Sequence, residues 1–331
     1  MTARDDLIST FLARHGFSVV RAVPLAQDAS FRRYLRLLGG PRPAILMDAP
    51  PPEDIQPFVQ LARHLAAIGL AAPEIIAAEP EHGLLLEEDL GDGLFPSLLS
   101  PATAGTLFDA AVDVLLAMQR AAPPPDLPRW GAAEMARTAL STLLDWWWPA
   151  AFDQAAPEAA RQEIGVALEA ILAPVADGPC EFVHRDFFAS NLVWLPDREG
   201  LRRLGLLDFQ NAAVGHPAYD LVSLIQDARR DIPPEISARV VQRYLAGRPE
   251  LDARAFRAAM AACAAQRHLR VAGQWVRLAR RDGRSHYLVY GPHTWRLLNS
   301  ALAEPVAAPL AAALDRWIPR EMRGNPPGLA A

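Results

Sequence analysis

The sequence predicts an α+β fold with two lobes, in which a small antiparallel β-sheet precedes a larger, mostly helical region. Short strand-like runs are concentrated in the first ninety residues, whereas helical periodicity dominates after Gly91-Asp92-Gly93. A chain of 331 residues also exceeds the size at which a single core stops growing. We expect a β-rich lobe over residues 1–92, a helical lobe over 93–322 and a disordered tail over 323–331.

The elements of the first lobe follow from periodicity and turn residues. Helical apolar stripes predict helices at about 5–15 and, after the triple proline Pro50-Pro51-Pro52, at about 54–68. Alternating or short buried apolar runs predict strands at 18–23, 30–38, 44–47, 74–76 and 83–88.

The second lobe is expected to be built mainly from helices. The helical pattern recurs at about 102–120, 131–147, 157–173, 218–230, 235–246, 252–280 and 301–316. Short strands and turns interrupt this pattern only between residues 181 and 208.

Composition excludes several classes of protein. The chain is 51% hydrophobic and 21% charged, has a net charge of −5 and contains no long basic run, so nucleic acid is not an expected ligand. Its two cysteines are isolated, which fits a reducing compartment. With no secretory signal and no run of eighteen apolar residues, we expect a cytoplasmic protein without membrane or obligate protein partners.

One constellation carries the chemistry. His184-Arg185-Asp186 is followed by Asn191 and then by Asp208-Phe209, a spacing typical of phosphoryl-transfer sites. Asp186 is the candidate base for the attacking hydroxyl. Asn191 and Asp208 are candidate oxygen ligands for Mg²⁺, which would bridge the phosphates of ATP. His184 is a candidate catalytic-loop residue with a scaffolding role.

A second block, Gly215-His216-Pro217-Ala218-Tyr219-Asp220-Leu221, follows closely. Asp220 is either a helix N-terminal acid or a buried carboxylate that braces the catalytic loop. Only eleven residues separate Asp208 from Asp220, and no A-P-E sequence follows. This leaves no room for a platform that binds a protein substrate, so a small-molecule acceptor is expected.

These blocks resemble the aminoglycoside phosphotransferase and choline kinase-like family of small-molecule kinases, which implies a protein-kinase-like fold with ATP between the lobes. Further segments resemble bacterial cell-wall sugar kinases: 28–34, 47–51, 85–91, 266–273 and 281–283. That resemblance implies phosphorylation of the anomeric hydroxyl of N-acetylmuramate and N-acetylglucosamine in peptidoglycan recycling. The alternatives are an aminoglycoside or choline-like kinase and, from another class, a non-catalytic ATP-binding regulator.

The chain departs from the family at the strand that normally supplies a phosphate-binding lysine or arginine. That strand ends in Met47-Asp48, and all 33 basic residues of the chain are arginines. Arg33 is the favoured replacement because it shares a strand face with the apolar residues Phe31 and Leu35, and such a mixed face is expected to point inward. Arg32 and Arg36 share the other face. The alternative for all three arginines is an exposed sheet edge. The turn that contains Ser30 is expected to cover the phosphates.

The remaining ligand contacts are assigned to two segments. Four consecutive residues at the connection between the lobes are expected to meet adenine through backbone groups: Glu87, Glu88, Asp89 and Leu90. Arg267 and Arg270 are candidate partners for the carboxylate of a muramate substrate, with a solvated helix face as the alternative. Trp146, Trp147 and Trp148 either stack on a sugar or pack at a helix end.

Overall fold

The computed structural model describes residues 3–18, 20–25 and 32–329. The strands are β1 (Arg21–Pro24), β2 (Arg33–Leu38), β3 (Ala44–Asp48), β4 (Ile75–Glu79), β5 (Leu84–Glu88), β6 (Arg129–Trp130), β7 (Glu181–Val183), β8 (Leu192–Trp194), β9 (Leu204–Leu206) and β10 (Ala213–Gly215). The helices are α1 (Ala3–Arg14), α2 (Gln56–Ala67), α3 (Phe95–Leu98), α4 (Ala104–Arg120), α5 (Ala132–Thr142), α6 (Trp148–Phe152), α7 (Glu158–Ile171), α8 (Ala173–Ala176), α9 (Ala218–Ile225), α10 (Pro234–Ala246), α11 (Ala253–Asp282), α12 (Gly291–Leu302) and α13 (Ala308–Trp317).

The chain divides into two compact units. Unit 1 contains Met1–Val114 and Ala189–Asn211, and unit 2 contains Leu115–Phe188 and Ala212–Ala331. This division does not follow the predicted boundary at residues 92 and 93, because β8 and β9 pair with each other and form bridges to Leu94 and Ala71 of unit 1. This grouping of residues does not test the functional division at residue 92, which stays a prediction.

Unit 1 is organised around a five-stranded antiparallel sheet with the order β1-β2-β3-β5-β4. Leucines of β2, β3 and β5 form a core with Phe11 and Leu12 of α1. Residues that pair across the sheet lie on the same face, and so do residues two apart in a strand. Tyr34 pairs with Met47, and Glu87 pairs with Ile45, two residues before Met47. Tyr34 and Glu87 therefore share the face opposite the core leucines. Both faces of this sheet are therefore used, one for the core with α1 and one for polar side chains.

Unit 2 is built around the 30-residue helix α11, which packs against α5, α9 and α12. Asp252 caps its first turn by accepting the N–H of Ala255 at 2.7 Å, and Gly283 ends it with a positive φ of 68°. A three-stranded sheet with the order β6-β10-β7 leads directly into the His184-Arg185-Asp186 segment. The catalytic motif thus begins at the end of β7.

The C-terminal helices differ from the predicted ones. A single helix was expected at 301–316, whereas α12 ends at Leu302 and α13 begins at Ala308, after a 3₁₀ turn at Pro305–Ala307. Pro305 cannot donate a backbone hydrogen bond, which favours this break. α12 itself was not predicted.

The tail also differs from the predicted disordered segment. Gly324 accepts a hydrogen bond from Trp147 Nε1 at 2.8 Å, and Asn325 donates to the carbonyl of Leu288 at 2.8 Å. Gly324 and Asn325 are thus held by other residues of unit 2, whereas residues 330 and 331 lie outside the described part of the chain.

In the part of the chain that the structure describes, no single helix has the length and apolar character needed to cross a membrane. The stretches Ser285–Leu302 and Pro305–Trp317 meet that criterion only when joined, and they are bent by 98° relative to each other.

Candidate active site

Asp220 holds the backbone that leads to Asp186. Its two carboxylate oxygens accept the amide N–H groups of His184 at 2.6 Å and Arg185 at 2.8 Å. Burial raises the pKa of Asp220 to about 7, and the two amide donors counteract part of this rise. The side chain is fully buried on α9. Asp220 therefore fixes the position of the two residues before Asp186.

The loop itself is constrained at each residue. Arg185 adopts a positive φ of 72°, which is uncommon for a side chain of its size. The Nδ1 atom of His184 lies 3.3 Å from the backbone nitrogen of Asp186, and its ring packs edge-on against Phe187. The side chain of His184 is buried, and its scaffolding role stays a prediction. Asp186, in contrast, is partly exposed.

The two predicted metal ligands, Asn191 and Asp208, both belong to unit 1. The Nδ2 atom of Asn191 lies 3.5 Å from Asp208 Oδ2, so the two predicted metal ligands are neighbours. Gln210 donates to Asp208 Oδ1 at 2.6 Å, and its own buried Oε1 has no hydrogen-bond partner among the described residues. Carboxylate and amide oxygens are hard ligands, so this donor set fits Mg²⁺.

Gln210 was not among the residues predicted from the sequence. The signal that could have found it is the glutamine two residues after Asp208, at a position where protein kinases carry glycine in D-F-G. Asp208 has a positive φ of 58°, so its local backbone is as constrained as that of Arg185.

The polar face of the unit 1 sheet presents Arg32, Tyr34 and Glu87. Burial raises the pKa of Glu87 to about 8, and the charge of Asp89 adds to the rise. Glu87 is only 4% exposed, and its Oε2 has no hydrogen-bond partner among the residues described. Burial raises the pKa of Tyr34 as well, with Glu87, Arg32 and Asp208 all acting on its hydroxyl. This face is therefore electrostatically coupled to Asp208.

The predicted inward orientation of Arg33 is wrong. Its side chain is 53% exposed and forms an ion pair with Asp48, which also binds Arg4 at 2.6 Å. Leu35 and Leu37, which share a strand face with Arg33, pack in the core with α1. Sharing their face therefore does not direct Arg33 toward Tyr34 and Glu87. Arg32 instead lies on the side of Tyr34 and Glu87. Its side chain is 11% exposed, and its Nε lies 3.0 Å from Glu53 Oε2.

The side chains of the other residues predicted to contact the nucleotide interact with other protein groups. Glu88 pairs with Arg198 at 2.5 Å, and Asp89 pairs with Arg36 at 2.6 Å. Leu90 packs in a small apolar cluster of unit 1. Contacts between the backbone of this segment and adenine stay a prediction. Ser30 lies outside the described residues.

Three arginines of unit 2 converge beside the catalytic loop. Arg267 Nη1 lies 3.5 Å from both the Arg185 carbonyl and the Tyr219 hydroxyl, and Arg270 Nη2 lies 3.3 Å from the same hydroxyl. The Arg185 guanidinium stacks 3.8 Å from the centroid of the Trp130 ring. The electrostatic environment of Arg270 includes Asp186. Arg267 and Arg270 therefore share one polar cluster rather than a solvated helix face.

The tryptophan run is mainly structural. Trp147 and Trp148 are buried, with Trp147 against Phe152 and Trp295. Trp146 is partly exposed, and the guanidinium carbon of Arg277 lies 6.0 Å from the centroid of its ring. These contacts correspond to the predicted packing at a helix end for two of the three residues.

Known proteins resemble this chain in sequence and in fold. The N-acetylmuramate/N-acetylglucosamine kinase of Caulobacter vibrioides is 40% identical, with 97% of this chain and 98% of the relative covered. Among solved structures, a choline kinase from Streptococcus pneumoniae has a TM-score of 0.65 at 15% identity, covering 94% of this chain and 100% of its own. An ADP-bound aminoglycoside phosphotransferase has a TM-score of 0.61 at 14% identity, with coverages of 91% and 99%.

These structural neighbours confirm the predicted α+β, protein-kinase-like fold. The model of the phosphotransferase enzyme family matches residues 21–256, which include the catalytic motif, both candidate metal ligands and Asp220. The chain belongs to the phosphotransferase enzyme family.

Proposed function

We propose that the protein transfers the γ-phosphoryl group of ATP to the anomeric hydroxyl of N-acetylmuramate or N-acetylglucosamine, yielding a sugar 1-phosphate for peptidoglycan recycling. The observation that carries this proposal is the loop before Asp186, held by both oxygens of Asp220. The choice of acceptor is supported by the 40% identical relative, whose name specifies these two sugars.

Each residue has a role that its chemistry permits. Asp186 accepts the proton of the acceptor hydroxyl and orients its oxygen for in-line attack. Asn191 and Asp208 would hold Mg²⁺, which neutralises negative charge on the phosphates. Because Asp220 fixes the backbone of His184 and Arg185, the loop needs little reorganisation before the reaction.

The arginine cluster argues against the rival acceptors. Aminoglycosides and choline are cations, and their kinases would be expected to supply acidic groups to the acceptor. Arg185, Arg267 and Arg270 instead place positive charge beside the loop that carries Asp186. This charge favours a neutral or acidic acceptor.

A screen of ADP release tests the proposal. Purified protein with ATP and Mg²⁺ is assayed against N-acetylmuramate, N-acetylglucosamine, kanamycin and choline, with Asp186→Ala as the background control. We expect turnover with the two sugars and only background with the two cations. Efficient use of kanamycin or choline, without use of either sugar, would overturn the proposal.

A further inference from the structure

Three carboxylates act on the unit 2 arginine cluster: Asp186 on Arg185 and Arg270, Asp220 on Arg267, and Glu134 on Arg185. In the described chain, no carboxylate lies within ion-pair distance of Arg267 or Arg270. Both oxygens of Asp220 are engaged by backbone amides. Glu134, which also acts on Arg185, is already bound by Arg137 at 2.6 Å.

The cluster also contains donors without acceptors. The Nε atoms of Arg267 and Arg270 and the indole Nε1 of Trp130 are buried and have no hydrogen-bond partner among the residues that the structure describes. Arg267 is only 3% exposed. The contacts of both guanidinium groups with the Tyr219 hydroxyl, at 3.3 and 3.5 Å, are at the long limit for hydrogen bonds. Buried donors of this kind are normally satisfied, so the cluster lacks an acceptor-rich group.

Like charges are also held close together here. Burial lowers the pKa of Arg185, and the positive charge of Arg270 acts in the same direction. Stacking on Trp130 compensates only part of this cost. Binding of an anion would satisfy the free donors and reduce the repulsion between the guanidinium groups.

We infer that Arg270, with Arg267 and Arg185, forms a subsite for a carboxylate on the acceptor, so that the enzyme selects acidic sugars. The inference rests on the proposed function, because it assigns the lactyl carboxylate of N-acetylmuramate to this cluster. N-acetylglucosamine lacks that group and would leave the subsite without an anion. A guanidinium fork matches a carboxylate in bidentate geometry, which an isolated ammonium does not.

The test compares N-acetylmuramate with its methyl ester, which removes the charge but keeps the lactyl ether. For the wild-type enzyme we expect the ester to lower kcat/KM about 10- to 100-fold, the range for a hydrogen bond to a charged group. In Arg270→Ala this difference should largely disappear. Arg257→Ala, an exposed arginine on the same helix, should keep the full difference.

Two results would overturn the inference: equal use of acid and ester by the wild type, or an unchanged preference for the acid in Arg270→Ala. The ester comparison needs only the wild-type protein, so it remains decisive if Arg270→Ala does not fold. Calorimetric binding of the same two ligands separates this inference from the proposed function. A preference for the acid without turnover would support the subsite and contradict the kinase assignment, whereas binding without preference would overturn the subsite.

Discussion

The carboxylate of Asp220 accepts the backbone N–H of His184 at 2.6 Å, across 36 residues of chain. Its other oxygen binds the next amide, that of Arg185. A single buried side chain on α9 therefore determines the path of the chain into the catalytic loop.

Asp220→Asn tests this brace. The amide side chain offers one acceptor and one donor group, so one buried N–H faces a donor instead of an oxygen. We expect a loss of about 2–4 kcal/mol in the free energy of unfolding and a larger fall in kcat than in ATP affinity. Urea denaturation and steady-state kinetics measure both. The control is Ser223→Ala on the same helix, which removes one local hydroxyl bond and should cost about 1 kcal/mol or less. A stable, fully active Asp220→Asn protein would show that the brace is dispensable.

Arg32, rather than Arg33, is the expected phosphate-binding cation. Arg32 lies on the side of the sheet that carries Tyr34. The charges of Arg32 and Asp208 both act on the Tyr34 hydroxyl. We expect Arg32→Ala to raise the KM for ATP about ten-fold or more. Arg33→Ala should change it less than about three-fold, because Arg33 is exposed and Asp48 keeps its bond to Arg4. The reverse order in ATP titrations would restore the prediction made from the sequence.

Asp208 should set the requirement for Mg²⁺. Asp208→Asn removes the charge while keeping a residue type that tolerates the observed φ of 58°. We expect the apparent affinity for Mg²⁺ to fall and kcat to drop by about 10²-fold or more, measured by Mg²⁺ titration of ADP release. EDTA should abolish wild-type activity, and added Mg²⁺ should restore it. Unchanged Mg²⁺ dependence in Asp208→Asn would exclude Asp208 as a ligand.

We expect Glu87 to make the free energy of unfolding depend on pH. Its pKa rises from 4.5 to about 8 in the folded protein, mainly through burial. Between these values the folded protein keeps a proton that the unfolded chain has released, so this group lowers the free energy of unfolding as the pH rises. At about 1.4 kcal/mol per pKa unit, we expect a difference on the order of 2–4 kcal/mol between pH 5 and pH 8. Glu87→Gln should flatten this part of the stability curve in urea titrations at each pH. Parallel curves for both proteins would contradict the assignment.

The sequence allowed much of the fold to be predicted, because periodicity and turn residues mark most elements. It did not indicate how each sheet face is used. Alternation shows that Arg33 and Leu35 share a face, but only the contact of that face with α1 shows that it lies away from Glu87. α12 was missed because Gly291-Pro292 suggests a turn, although proline is favoured at the start of a helix.

The candidate site was predictable where chemistry follows a fixed spacing, as for Asp186, Asn191 and Asp208. Their functional roles still rest on the proposals above. Trp130 was not predictable, because its importance depends on its contact with Arg185, which is distant in sequence. Arg270 was proposed from its residue type and its helical spacing from Arg267. Its contacts with the Tyr219 hydroxyl and the Trp130 ring make it part of a cluster.

The central claim is that Asp186 promotes phosphoryl transfer to the anomeric hydroxyl of an acetylated amino sugar. The most direct test is ³¹P NMR of the product from N-acetylmuramate and ATP, run with the wild type and with Asp186→Asn. We expect a phosphate ester coupled to the anomeric proton in the wild-type reaction, and a rate at least about 10²-fold lower for the variant with ATP binding retained. A phosphate at another position of the sugar, or near-normal turnover by Asp186→Asn, would contradict the account.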